Sequence, residues 1–99
     1  MELEEIISRL KNEARALATH APTAQWYLFG SVIRGVPAPT DVDLLIVYEN
    51  DFDARELRKG LESLSQLLPL HLLLMRKDEE KELQFITEQR AVKVFPNAT

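Results

Sequence analysis

The sequence predicts a small α/β (α+β) domain in which a small mixed β-sheet is flanked by helices. Three observations carry that expectation. The first twenty residues place apolar side chains three or four apart, two short apolar runs at 24–29 and 41–48 are bounded by turn formers, and a further helical stripe leads through Pro69 into the run "LHLLLM". Helical and strand periodicities alternating along one short chain suit an α/β layer architecture. With 99 residues the chain is expected to form a single domain over residues 1–99.

In the first element, Leu3, Ile6, Ile7, Leu10, Ala14, Leu17 and Ala18 form one apolar stripe. Glu2, Glu4 and Glu5 lie in its first turn, where the helix dipole favours negative charge. Pro22 cannot continue the helix, and His20 at its end reads as a solvated cap. The segment "AQWYLF" (24–29) is short, aromatic and closed by Gly30 and Ser31, which predicts a buried strand. Gly35, Pro37 and Pro39 then prevent any long regular element, leaving room for one helical turn starting at Ser31.

The run "DVDLLIVY" (41–48) is apolar on both faces after its two aspartates, the pattern of a central strand. Asp53 followed by Glu56 has capping-box spacing and predicts a helix start. Ala54, Leu57, Leu61, Leu64 and Leu67 continue that helix as one stripe, with Gly60 inside it at a cost of about 1 kcal/mol relative to Ala. Pro69 ends it and "LHLLLM" is the third strand. Asp78, Glu79 and Glu80 start a last helix, weakly amphipathic through Leu83 and Ile86, and "AVKVF" reads as a short edge strand.

Composition narrows the function. Twelve basic against 16 acidic residues give a net charge of −4, which disfavours nonspecific nucleic-acid binding. There is no cysteine, which removes disulfides and thiolate zinc sites and fits a reducing compartment. No apolar run approaches the roughly 20 residues that cross a bilayer, and "MELEEIISRL" does not read as a targeting peptide. The expected address is the cytoplasm, with no membrane contact.

The residues with chemistry cluster around the first two strands. Asp41 and Asp43 are two apart, so on a strand their carboxylates share a face about 6–7 Å apart. At about 6 Å their repulsion is on the order of 1–3 kcal/mol, which a divalent cation or water would relieve. Mg²⁺ suits such oxygen ligands and leaves room for phosphates. Taken alone, an Asp-x-Asp is more often a strand-entry cap beside a solvated acid. Gly30-Ser31 allows close approach to the backbone, and the N–H groups that follow suit a phosphate. A plain strand-ending turn is the blander account. Arg34 would contact a phosphate or carboxylate, brace Asp41 or a loop carbonyl, or simply be solvated.

Together, "FGSVIRGVPAPTDVDLLIV" resembles the signature of the DNA polymerase β-like nucleotidyltransferase superfamily, with Thr40 at a position usually held by Ser. Across nearly the whole chain the element order is similar to the minimal nucleotidyltransferases (MNT-type) of bacteria and archaea. The resemblance implies that Gly30 and Ser31 hold nucleotide phosphates, with Arg34 beside them. It implies that Asp41 and Asp43 hold divalent metals, normally Mg²⁺ with Mn²⁺ as the alternative. The substrate would be an NTP, with ATP expected, and an NMP unit would pass to a hydroxyl while pyrophosphate leaves. Small members resemble antitoxins that pair with a helical HEPN-type protein, some transferring AMP to a tyrosine of that partner. A homo-oligomer is a further arrangement the chain would allow.

One departure matters. Active family members carry a third carboxylate on the third strand, where this chain has His71. Histidine is a poor Mg²⁺ ligand. His71 would serve as a base near neutral pH, bind a softer ion such as Mn²⁺ or Zn²⁺, or stand as an ordinary half-buried residue in a degenerate fold. The last case leads to a second function, a partner-binding antitoxin module without catalysis.

Overall fold

The sheet is built around a strand with no polar face to spare. In the computed structural model, which describes residues 2–35 and 41–96, that strand is β2 (Val42–Tyr48), and its central residues Leu44, Leu45 and Ile46 are fully buried. It is flanked on one side by β1 (Gln25–Phe29), antiparallel, and on the other by β3 (Leu70–Arg76), parallel. The last strand, β4 (Val92–Phe95), pairs antiparallel with β1, so the order is β3-β2-β1-β4 in a four-stranded mixed sheet. The α+β class and the edge position of "AVKVF" are therefore as the sequence predicts. The expectations resting on Pro37, Pro39 and Thr40 fall outside the described residues.

Side-chain alternation sorts the sheet into two layers. Trp26 and Leu28 of β1 and Val42, Leu44, Ile46 and Tyr48 of β2 face the larger core. That core is closed by helix α1 (Leu3–Leu17) through Ile6, Leu10 and Ala14. Helices α2 (Asp51–Gly60) and α3 (Glu62–Leu67) complete it through Leu57 and Leu64, with Leu61 at their junction. The opposite face carries Tyr27, Leu45, Val47 and Met75, and is covered by Phe85 and Ile86. These belong to a helical hairpin made of α4 (Lys77–Leu83) and α5 (Phe85–Gln89).

The helices differ from their sequence reading in two places. The expected single helix after the second strand is two. Its N-cap is Asn50, whose Oδ1 accepts from the Asp53 backbone N–H at 3.0 Å, so the helix starts at Asp51 rather than at an Asp53–Glu56 box. Asn is among the strongest N-caps. The segment breaks at Leu61, directly after Gly60, its weakest helix former. Gly60 has a packing reason to be there: a Cβ would overlap the Leu17 side chain of α1.

The expected last helix is also two. Gln84 takes the left-handed conformation (φ 52°) and turns the chain. Glu80 Oε2 accepts the Ile86 N–H at 3.0 Å across that turn, satisfying a donor exposed at the start of α5. As a result Ile86 packs inward while Leu83 stays 60% exposed, so the two do not form one stripe.

Candidate functional site

The two-residue period of β2 puts Asp43 on the same face as Leu45 and Val47, the face covered by the α4–α5 hairpin. Asp43 lies near the N-terminal end of the strand, beyond the apolar cluster. Its cross-strand neighbour on β1 is Phe29, and its register partner on β3 is His71. Phe29 in turn meets Phe85 edge-on, with ring centroids 5.1 Å apart. The acid therefore stands at the rim of an apolar surface, its side chain 20% exposed.

Immediately after Phe29 the chain turns through Gly30, whose φ of 76° suits glycine. The turn continues as a short 3-10 segment, Gly30–Ile33, where one helical turn was expected. The space a Gly30 side chain would fill is taken by the Asp43 carboxylate; a Cβ there would collide with Oδ2. Gly30 thus has two independent reasons to be glycine, its backbone angle and the acid packed on it.

The other side of Asp43 is closed by His71. Its Nδ1 lies 3.0 Å from Asp43 Oδ1. The imidazole is not half-buried: 75% of it is exposed, because β3 is an edge strand and the ring points past its neighbour into solvent. With a proton on Nδ1, the ring donates a hydrogen bond to the carboxylate. The parallel β2–β3 register makes this contact, pairing the residue after Val42 with the residue after Leu70.

Asp41 sits one residue before β2 and is exposed, so only Asp43 of the pair is part of the strand itself. The entry is pinned by the Val42 N–H, which donates to the Pro69 carbonyl at 2.9 Å. Ser31 is half-buried in the first turn after Gly30, and Arg34 ends the 3-10 segment exposed, its N–H donating to the Ser31 carbonyl at 3.2 Å. Among the described residues Arg34 forms no ion pair with Asp41 or Asp43. Among the same residues no three His, Asp or Glu side chains are gathered tightly enough to hold a metal. The structure brings Gly30, Asp43 and His71 into contact, with Ser31 adjacent in the turn and Asp41 and Arg34 exposed nearby in the chain.

Sequence reasoning missed the aromatic wall. Phe29 and Phe85 are 56 positions apart, and nothing in the sequence pattern pairs them. A cavity of about 120 Å³ lies at the far end of the same face, lined by Tyr27, Val47, Glu49, Lys77 and Glu80 among others. Val47 is four residues from Asp43, about 13 Å along the strand, so this cavity is no part of the acidic site.

Fold and site together define an α+β domain in which a strand-borne acid is seated on a glycine turn. A family model described as a nucleotidyltransferase domain matches residues 7–94, and the chain belongs to that family. Comparison with curated proteins and with solved structures yields no match. Family membership supports a transferase that moves a nucleotidyl group.

Proposed function

We propose that this protein transfers an NMP unit, AMP from ATP, to a hydroxyl acceptor with a divalent cation bound at the acidic site. The observation that carries this reading is the Asp43 carboxylate packed on the Gly30 turn, within a chain whose family match spans both. The turn puts backbone N–H groups next to the acid, a donor set that suits substrate phosphates. In this reading Gly30 and Ser31 hold the triphosphate, the Ser31 hydroxyl adding a donor. Arg34, exposed three residues on, neutralises phosphate charge.

Asp41 and Asp43 supply the cation ligands, Mg²⁺ being the expected ion and Mn²⁺ the alternative. The donor chemistry fits: one or two carboxylates at a solvent-open strand mouth suit an ion that keeps waters and takes substrate phosphates. When bound, the cation would neutralise the triphosphate and favour ionisation of the acceptor hydroxyl. The acceptor hydroxyl gives its proton to water as its oxygen bonds to the α-phosphorus, the bond from that phosphorus to the bridging oxygen breaks, and pyrophosphate leaves. Asp43 is held in place by Gly30 on one side and His71 on the other.

The open site suits an acceptor carried by another chain. We take that acceptor to be a tyrosine of a small helical HEPN-type partner, in an antitoxin-like pairing in the cytoplasm. Among the described residues no helix is long and apolar enough to cross a membrane.

The test is label transfer from α-phosphate-labelled ATP, with Mg²⁺ or Mn²⁺, to a HEPN-type partner. The reading expects transfer by the wild type and its loss in Asp43→Asn. Equal labelling by both proteins, or by neither, overturns it. A second reading rests on the 3.0 Å His71–Asp43 contact, which occupies one carboxylate oxygen: a fold kept for partner binding without catalysis. It predicts tight complex formation that Asp43→Asn leaves intact, with no labelling.

A further inference from the structure

The two edges of the sheet are built differently. Strand β4 spans four residues, carries Lys93, departs from regular register against β1 and is followed by Pro96. Short length, a charge, a bulge and a proline are the devices that keep an edge from pairing with another chain. Strand β3 contains none of them. It runs for seven residues in unbroken register along β2. From Leu70 to Met75 it bears no carboxylate, ammonium or guanidinium, and His71 is its one polar residue. Beside it, Arg58 of α2 and Glu62 of α3 line an open groove with Leu70 and Leu72, one charge of each sign. In a chain of net charge −4, such a balanced stretch is a place where a second copy meets little repulsion.

The backbone of β3 points to the same occupant. The Val42 N–H donates to the Pro69 carbonyl, and parallel pairing alternates from there. Residues 71, 73 and 75 therefore bond to β2, while the N–H and carbonyl groups of Leu70, Leu72, Leu74 and Arg76 point outward. Both ends of this outward row are already served. The Leu70 N–H donates to the Leu68 carbonyl at 2.7 Å, and the Arg76 N–H donates to Glu79 Oε1 at 3.1 Å. Among the described residues, the Leu72 and Leu74 N–H groups are the donors of the row left without an acceptor. We propose that two copies of this chain pair antiparallel along β3, about a two-fold axis through Leu73. Leu73 is the midpoint of β3, so this register overlaps the two strands over their full length. It sets Leu72 of each copy against Leu74 of the other, and each pair exchanges two N–H to carbonyl bonds. The contact is self-complementary, as two-fold symmetry requires. The axis stands perpendicular to the joined sheet, so the Asp43 sites of both copies open on one face. Pairing at this edge is independent of what those sites bind.

The experiment is sedimentation equilibrium of the full chain alone, at up to about 100 µM, where a micromolar association fills the dimer. The expected mass is twice 11.4 kDa. Leu73→Lys and Leu73→Glu each place like charges directly opposite one another at the axis, and each alone should associate at least about tenfold more weakly than the wild type. Mixed together, the two variants should form a dimer again, a rescue that damage to the fold would not produce. Far-ultraviolet circular dichroism verifies the fold of each. Amide hydrogen exchange of the wild type, followed by nuclear magnetic resonance, gives a second reading without substitutions. The Leu72 and Leu74 amides should exchange slowly in concentrated solution and faster on dilution, while the Leu73 amide, bonded to β2, stays slow in both. A chain that is monomeric throughout, a dimer indifferent to Leu73→Lys, or a mixture that fails to re-form overturns the proposal. So does protection of the Leu72 and Leu74 amides that arises only when a HEPN-type partner is added, which would assign the edge to that protein.

Discussion

At the scale of single residues, Gly30 and Tyr27 show how tightly this small sheet couples backbone and charge. Gly30 combines a φ of 76° with a carboxylate in the space of its missing side chain. Gly30→Ala must accept a left-handed alanine and move Asp43, for which we expect a loss on the order of 1–3 kcal/mol. The urea midpoint reports that loss, and label transfer should fall with it even at temperatures where the variant is fully folded. Tyr27, on the same sheet face, donates its hydroxyl to Gln25 Oε1 at 2.8 Å. Burial, and secondarily Glu80, hold its phenol above the ordinary value of about 10. A phenol that ionises less readily folded than unfolded contributes stability fully present below about pH 10, lost as pH climbs from there through the folded value. Stability of the wild type should therefore decline above pH 10, and less steeply in Tyr27→Phe, which gives up about 1 kcal/mol at neutral pH with its hydrogen bond. Tyr48, raised by burial and then by Asp51 and Glu79, leaves a residual slope in that variant. Parallel slopes for the two proteins would contradict the assignment.

At the scale of elements, the contrast between strands and helix ends explains what could be read in advance. The strand β2 was legible because an unbroken apolar run of its length needs cover on both faces, which a central strand receives. Helix starts were less so: Asn50, Asp51 and Asp53 all accept caps well, and only the fold shows Asn50 receiving the Asp53 N–H. Asn50→Ala should cost about 1 kcal/mol, within a range of about 0.5–2, because it also strips the 3.0–3.1 Å contacts from Asp53, which is 5% exposed. Thermal denaturation measures this; an unchanged midpoint would return the cap to Asp53. The split at Gln84 had no sequence mark, since its left-handed angle is offset by Glu80 capping Ile86, a contact six residues long. In the site, Asp43 and Gly30 were readable as parts of one site through the composite motif, and antiparallel pairing of β1 with β2 is what brings them together. The His71 contact depended on the parallel register of β3, which composition does not encode.

At the scale of the whole molecule, the two layers are unequal, and the site lies on the smaller one. Among the described residues, seventeen buried ones form the core under α1, α2 and α3, against four on the face beneath the α4–α5 hairpin, so the hairpin should open without the rest. No residue of α4 or α5 is buried, and their hold on the sheet passes through Phe85 and Ile86. Phe85→Ala removes the edge-on contact with Phe29 at 5.1 Å, an interaction worth about 0.5–1.5 kcal/mol beyond its buried area. Native-state hydrogen exchange should then show faster exchange throughout α4 and α5 while the β2 amides keep rates close to the wild type. Because Phe29 is also the cross-strand neighbour of Asp43, the same variant should loosen the rim of the site and lower nucleotide transfer without unfolding the sheet. A uniform acceleration across all elements would mean that the two layers unfold as one unit, and that the hairpin is as firmly held as the main core.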